Sequence, residues 1–339
     1  MKYQEVLASA KGQVGPHCRV CPVCNGYGCR NAVPGPGAKG SGTVAIRNYE
    51  AWQKIALNMD TIGENSPVDT TARLFGQEFS LPVLAGPVGA LKLHYGDKHD
   101  DLSYNSILLP GAKKAGIAAF TGDGVDPAVF AGAARAIKNN GGMGIPTIKP
   151  WDMDTIFEKL ALARDSGAFA IAMDIDAAGL PFLQGLTPPA GPKSAEQLAE
   201  IAKKAGVPFL LKGIMTVKGA EKALQAGCAG IVVSNHGGRV LDGVPSGAEV
   251  LPEIVEAVAG RMTVLVDGGI RTGLDVFRAL ALGADGVLVA RPYVTAVYGA
   301  GEEGVVSLTE KLRSELADTM LMCNARSLRD ITRDKIRLG

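Results

Sequence analysis

The sequence lacks a surplus of charge: 35 Lys and Arg stand against 34 Asp and Glu, for a formal net charge of +1. A nucleic-acid footprint needs clustered basic residues. Here they are scattered along amphipathic segments, as on solvated helix faces, so no nucleic-acid partner is expected. The chain also lacks any apolar run near the ~18 residues of a membrane span. Its first stretch, MKYQEVLASAKGQ, has no signal-peptide core. The expectation is a cytoplasmic protein with no membrane span. Six cysteines in 339 residues do not make a disulfide scaffold. Nor does AGPVGALK, after the first strand-like run, supply the G-x-G-x-x-G turn that a doubly wound dinucleotide fold wants. What is present is a composition 47% apolar and 20% charged, enough to bury a large core and against disorder.

From about residue 80 onward one theme repeats, a short apolar run followed by a helix-like segment. The runs are LPVLAGPV (81–88), IAAFTGD (117–123), MGIPTIKP (143–150), FAIAMDID (169–176), PFLLKGI (208–214), GIVVSNHG (230–237), TVLVDGGI (263–270) and GVLVARP (286–292). Near-continuous apolarity marks strands covered on both faces. The segments between, such as SAEQLAEIAKKAG, carry apolar residues at three- and four-residue spacing and end in Gly, a common helix stop. Eight such units predict an α/β fold, a (β/α)8 TIM barrel over residues 80–339. Residues 1–79 form an N-terminal extension to this single domain, with a Gly-rich loop, VPGPGAKGSGTV, and a helix over NYEAWQKIALNMD.

Active sites in such barrels sit at the C-terminal strand ends. Those ends carry Thr147 and Lys149, Asp174 and Asp176, Lys212, then Ser234, Asn235, His236 and Arg239, then Asp267, Gly268, Gly269 and Arg271, and finally Arg291. Singly, each has an ordinary explanation: an Asp caps a helix, a Lys snorkels at an edge, a His is a satisfied structural residue. Jointly those explanations fail, because buried charges at one barrel mouth need partners or a ligand. DGGIRTG and ARP bring backbone N–H groups, a helix start and two arginines to the loops where this barrel type binds phosphate. Arg271 and Arg291 can each fork onto phosphate oxygens. The other groups suit redox chemistry on a flavin. Lys212 can neutralise charge on the reduced ring, His236 can act as a base with Asp174 orienting it, and Arg239 can clamp a carboxylate.

SNHGGRVLDGVPSG, VLVDGGIRTGLDVFRALALGADGVLVARP and LLKGI closely resemble the FMN-dependent 2-hydroxy-acid oxidase and dehydrogenase family, and MCNARSLRDI matches in style. The resemblance implies an FMN-dependent oxidoreductase acting on a 2-hydroxy acid or related small anionic substrate. It assigns His236 as base, Asp174 as its partner, Arg239 as carboxylate ligand, and Lys212 to the flavin N1 and O2 edge. Pro87, Val88 and Gly89 would face the flavin ring, and Asp267, Gly269, Arg271 and Arg291 would hold ribityl and phosphate. Thr121, Thr147, Ser234, Gly268 and Ala290 complete the implied cofactor set. It also implies a homo-oligomer, a tetramer by family habit, and leaves the electron acceptor open among oxygen, a quinone and a protein. Three features depart from the family. Lys149 stands where a substrate-contacting Tyr is usual, no second Arg follows the strand carrying Asp174, and a family Tyr in the N-terminal segment has no clear counterpart. Lys149 is therefore expected to join Arg239 in binding the substrate anion. Two other readings stay open: a flavin-dependent isomerase like the type 2 isopentenyl diphosphate isomerases, and a protein in which FMN exchanges electrons with a cysteine cluster.

That cluster is HCRVCPVCNGYGC, which sets Cys18, Cys21, Cys24 and Cys29 in a C-x2-C-x2-C-x4-C array. Four thiolates so close suit Zn2+ or an iron–sulfur cluster; metal-free thiols and thiol–disulfide chemistry are the alternatives. The same segment is expected to cover the barrel mouth near the substrate. Cys228 and Cys323 lie in helical contexts and are expected in the core.

Overall fold

The computed structural model describes residues 1–183, 185–187 and 189–338. Each expected apolar run supplies one barrel strand. These are β1 (Val83–Ala85), β2 (Phe120–Thr121), β3 (Ile145–Ile148), β4 (Ile171–Asp174), β5 (Phe209–Ile214), β6 (Gly230–Val233), β7 (Thr263–Asp267) and β8 (Gly286–Val289). All neighbours run parallel in chain order, β8 pairs back onto β1, and a parallel bridge from Ala85 to Ala119 closes the ring. The helices that follow the strands are α1 (Asp101–Lys114), α2 (Pro127–Asn139), α3 (Met153–Asp165), α4 (Ala195–Ala205), α5 (Val217–Gln225), α6 (Gly247–Val258), α7 (Gly273–Ala281) and α8 (Arg291–Met322). The (β/α)8 barrel expected from the repeat is what the chain forms.

Continuous apolarity in the strands has two destinations. Leu84, Phe120, Ala172, Leu210, Val232, Leu265 and Leu288 fill the barrel interior, while alternate residues such as Val83, Met173, Ile231, Val266 and Val287 pack under the helices. The period of two survives; only its polar half is missing, because both faces are covered. A hairpin of Ala72–Leu74 and Gln77–Phe79 adds Leu74 and Phe79 to the interior cluster. It lies against the N-terminal strand ends, since a Cβ on Gly230 would approach Phe75 and one on Gly286 would approach Leu74. The opposite mouth stays available for a site.

The expected helix over residues 48–60 is displaced. It spans Thr43–Gln53, and Ile55–Leu57 instead pairs antiparallel with Ile336–Leu338 near the other end of the chain. Local periodicity cannot register such a distant edge partner, which overrides helix propensity here. This helix positions the site, because its Asn48 carbonyl runs against Gly269. A Cβ there would lie 2.0 Å from that oxygen, and φ is +82°. Only glycine allows so close an approach.

Candidate active site

The barrel mouth holds a cleft lined by residues at or just beyond the C-terminal ends of all eight strands. Its lining includes Pro87, Val88, Gly89, Lys149, Asp174, Lys212, His236, Arg239, Asp267, Gly268, Gly269, Arg271, Ala290 and Arg291, all expected from the sequence. Thr121, Thr147 and Ser234 are buried at the ends of β2, β3 and β6 but outside that lining.

The two carboxylates of β4 divide their work differently from the expectation. Asp174 does not hold His236. It is the strand residue in register with Lys212, and the Lys212 ammonium lies 3.0 Å from its carboxylate and 3.6 Å from that of Asp267. The partner of His236 is Asp176, whose Oδ1 lies 2.9 Å from Nδ1. The register explains the exchange. Asp174 and Lys212 are level with Val232 in β6, whereas His236 lies four residues beyond that level. Only a carboxylate further along the chain, on the 3-10 turn Ile175–Gly179, rises to the same height. Gly213, in the irregular part of β5, makes room for it. Its φ is +102°, and a Cβ there would come within 2.5 Å of the Asp176 carboxyl carbon.

Electrostatics follow from this layering. Burial alone pushes the Asp174 carboxyl up, but Lys212, His236 and Lys149 outweigh it and hold the group at about 2. Burial likewise opposes charge on Lys212, and the surrounding Asp174, Asp267 and Asp176 reverse it, so its pKa is raised. Lys149 lacks this compensation. Burial dominates and lowers its pKa despite Asp174 and Asp123, and its ammonium makes no hydrogen bond or ion pair among the described residues. Its backbone is fixed instead, donating to Asp123, which also accepts from Trp151 and Lys159. Asp123 is a site residue that the sequence reading missed; DGVD resembles an ordinary loop.

The N-terminal segment reaches the Arg239 side of the mouth, but not with its cysteines. Arg239 donates to the Gly35 carbonyl, and Gly35 N–H donates to His94 Nδ1 at 2.9 Å. Lys39 bonds the carbonyls of Gly179 and Val240, and its N–H bonds Gly238. Residues 35–40 therefore form the wall beside Arg239. His94 lies 3.4 Å from Arg239 Nη2 and is lowered to about 3 by burial and then by the Arg239 and Lys149 charges, so it stays neutral. His94, Tyr95, Leu180 and Phe182 also line the cleft and were not expected. Nothing in the local patterns GALKLHYGD or AAGLPF marked them.

The cysteines lie at the other end, behind the arginines. Arg271 donates to the Cys24 carbonyl at 2.6 Å and points Nη2 toward its sulfur at 3.7 Å, while Arg291 bonds the Gly237 carbonyl at 3.0 Å. The two arginines thus come together as expected. The two helix starts differ: in α7 the Thr272 and Asp275 side chains take up the exposed N–H groups, whereas α8 begins with no side-chain cap. The helix start expected in DGGIRTG is therefore capped by its own chain, and the open one belongs to ARP. All six cysteines are free, and Cys228 and Cys323 are buried as expected. Among the described residues no three of the four clustered thiols lie within 4.8 Å of one another; the one such group is Asp174, Asp176 and His236, where Lys212 already supplies a cation.

The cleft suits a flavin mononucleotide on several counts. Asp267 Oδ1 and the hydroxyls of Thr121 and Thr147 are buried without a hydrogen-bond partner, an arrangement that costs free energy unless a ligand completes it. Gly89, Gly268 and Gly269 line the cleft, with Arg271 and Arg291 at one end as cations for a phosphate.

Comparison with known proteins agrees. Residues 36–182 and 184–338 match the family described as FMN-dependent dehydrogenase. The 4-hydroxymandelate oxidase of Amycolatopsis orientalis is 31% identical, over 89% of this chain and 92% of its own. An L-lactate dehydrogenase of Pectobacterium atrosepticum is 50% identical over 129 residues, which are 38% of this chain and a third (33%) of that enzyme. A peroxisomal (S)-2-hydroxyacid oxidase of Arabidopsis thaliana is 46% identical over 43% of this chain and 39% of its own. Among solved structures, a mandelate oxidase variant with 2-hydroxy-phenylacetamide superposes with a TM-score of 0.81 at 28% identity, covering 100% of this chain and 98% of the other. The fold, the cleft and these matches together show that the chain belongs to the FMN-dependent dehydrogenase family.

Proposed function

We propose that this chain oxidises small 2-hydroxy acids to the 2-keto acids, using FMN. The observation that carries this reading is the His236–Asp176 pair facing a cleft that also holds Arg239 and the unpaired Lys149. Oxidation removes two electrons and two protons from the carbinol C–H and O–H. FMN, when bound, supplies the two-electron acceptor. Asp267, Thr121 and Thr147 offer hydrogen bonds to it, Arg271 and Arg291 with the open start of α8 offer its phosphate a cationic end, and Lys212 offers positive charge from the barrel interior.

With Nδ1 tied to Asp176, the His236 ring presents Nε2 as its free basic atom. Asp176 fixes the ring orientation and stabilises the imidazolium that proton uptake creates. Arg239 and Lys149 bind the substrate carboxylate. Arg239 is already oriented by Gly35, and Lys149 brings a compact charge rather than a fork. His236 and Arg239, which carry this reading, disfavour the isomerase alternative.

Anaerobic mixing of the FMN-loaded protein with glycolate, lactate and mandelate tests it. One or more should bleach the flavin absorbance; if FMN is bound and none does, the reading is wrong. Lys149→Met then tests the second cation. Loss of a buried charge-assisted contact worth about 1.5–3 kcal/mol should raise the KM for the active substrate about 10- to 150-fold. An unchanged KM would remove Lys149 from substrate binding.

A further inference from the structure

The four clustered cysteines play no part in the flavin chemistry above, yet all four line a single second cavity. Arg271 and Arg291 line it too, so it shares a wall with the flavin cleft. Each of the four residues is half-buried and unoxidised. The loop carrying them is shaped to point them inward. Val20, between Cys18 and Cys21, has φ 47°, and Gly26 has φ 92°. At Gly28 a Cβ would lie 2.7 Å from the Cys21 sulfur, so glycine leaves that thiol its space.

The spacing of the sulfurs selects among ligands. A single tetrahedral Zn2+ with arms of about 2.3 Å needs its four sulfurs about 3.8 Å apart. No three of them meet even a 4.8 Å limit among the described residues. A cubane iron–sulfur cluster binds each thiolate through a different iron, and so takes four sulfurs around a wider cavity. The C-x2-C-x2-C run supplies three ligands of one cluster in the bacterial ferredoxin pattern, whose own fourth cysteine serves the other cluster; here Cys29, after four intervening residues, offers the fourth thiolate. A cluster held by four thiolates is an anion, and the cavity wall is cationic: Arg19, Arg271, Arg291 and Lys311 line it. Leu7, Val20 and Leu308 give the remaining wall an apolar surface.

We propose that Cys18, Cys21, Cys24 and Cys29 bind a [4Fe–4S] cluster in this cavity, beside the arginine end of the flavin cleft. The site is argued from the cysteine loop and its surroundings and does not depend on which substrate the flavin oxidises.

The test is iron and acid-labile sulfide analysis of the full-length protein, purified anaerobically and reconstituted with ferrous iron and sulfide, alongside FMN content. About four iron and about four sulfide per chain are expected, with an electron paramagnetic resonance signal after dithionite reduction. Cys21→Ser combined with Cys29→Ser should cut iron at least about fivefold and abolish that signal while FMN content stays at the wild-type level. Fewer than about one iron per chain in the wild type, stoichiometric zinc in place of iron, or iron unaffected by the double substitution would each overturn the proposal. If the double variant does not fold, as loss of FMN would reveal, the wild-type metal and sulfide counts decide alone. Flavin bleaching by 2-hydroxy acids is read on the same samples, so failure of the cluster and failure of the oxidase reading are separate results.

Discussion

Replacing His236 with Gln should leave FMN bound and slow flavin reduction by a 2-hydroxy acid about 10²–10⁴-fold, the usual contribution of a positioned general base. The side chain is held for that work. Its backbone sits at φ 57°, a conformation uncommon for a residue with a Cβ. It is kept there by the N–H bond to Ser234 Oγ at 3.1 Å and by the Asp176 bond to the ring. Glutamine preserves the size and a hydrogen bond to Asp176 but accepts no proton at neutral pH. The substitution removes neither Arg271 nor Arg291, and the Arg291 bond to this loop is to the Gly237 backbone carbonyl, so FMN content should change little. Stopped-flow absorbance under anaerobic conditions gives the rate directly. A rate within about threefold of wild type would show that the proton leaves by another route, and the assignment of His236 as base would fall.

How far the site could be read in advance depended on whether a residue's partner was close in sequence or in register. The eight apolar runs stand out because each strand is short, local and bracketed by Gly-terminated helices. Their C-terminal polar residues then follow from barrel geometry alone. The choice between Asp174 and Asp176 did not follow. Both lie on one face two residues apart, and the decision rests on the β4–β5–β6 register and the Gly213 irregularity, which are properties of paired strands. The wall made by residues 35–40, with His94 behind it, is harder still. It is a contact between a loop and a barrel more than 50 residues away, held by backbone carbonyls that carry no side-chain signature. Conversely, the cysteine array was conspicuous in the sequence, and the structure moved it from the substrate side to the arginine side of the mouth.

The division between the two carboxylates of β4 predicts opposite phenotypes for nearly identical substitutions. Asp174→Asn leaves the buried Lys212 ammonium with Asp267 alone, at 3.6 Å. Breaking a buried pair of this kind costs about 3 kcal/mol or more, because the remaining charge stays desolvated. Thermal or urea unfolding of the FMN-saturated protein should show that loss. The acid dependence carries the same signature. The Asp174 carboxyl is held at about 2 in the folded protein, against about 3.9 when unfolded. Between those values the unfolded chain binds more protons, so stability rises with pH. The contribution is fully present above about pH 5 and is lost progressively as pH falls through about 2. The Asp174→Asn variant should lack that part of the slope. Asp176→Asn leaves both direct ion pairs of Lys212, to Asp174 and Asp267, in place and should cost less stability than Asp174→Asn. Instead it removes the charge that orients His236 and stabilises its protonated form, and flavin reduction should slow by about 10²-fold or more. If Asp174→Asn slowed chemistry while Asp176→Asn only destabilised the fold, the register argument would be wrong and the histidine would belong to Asp174 after all.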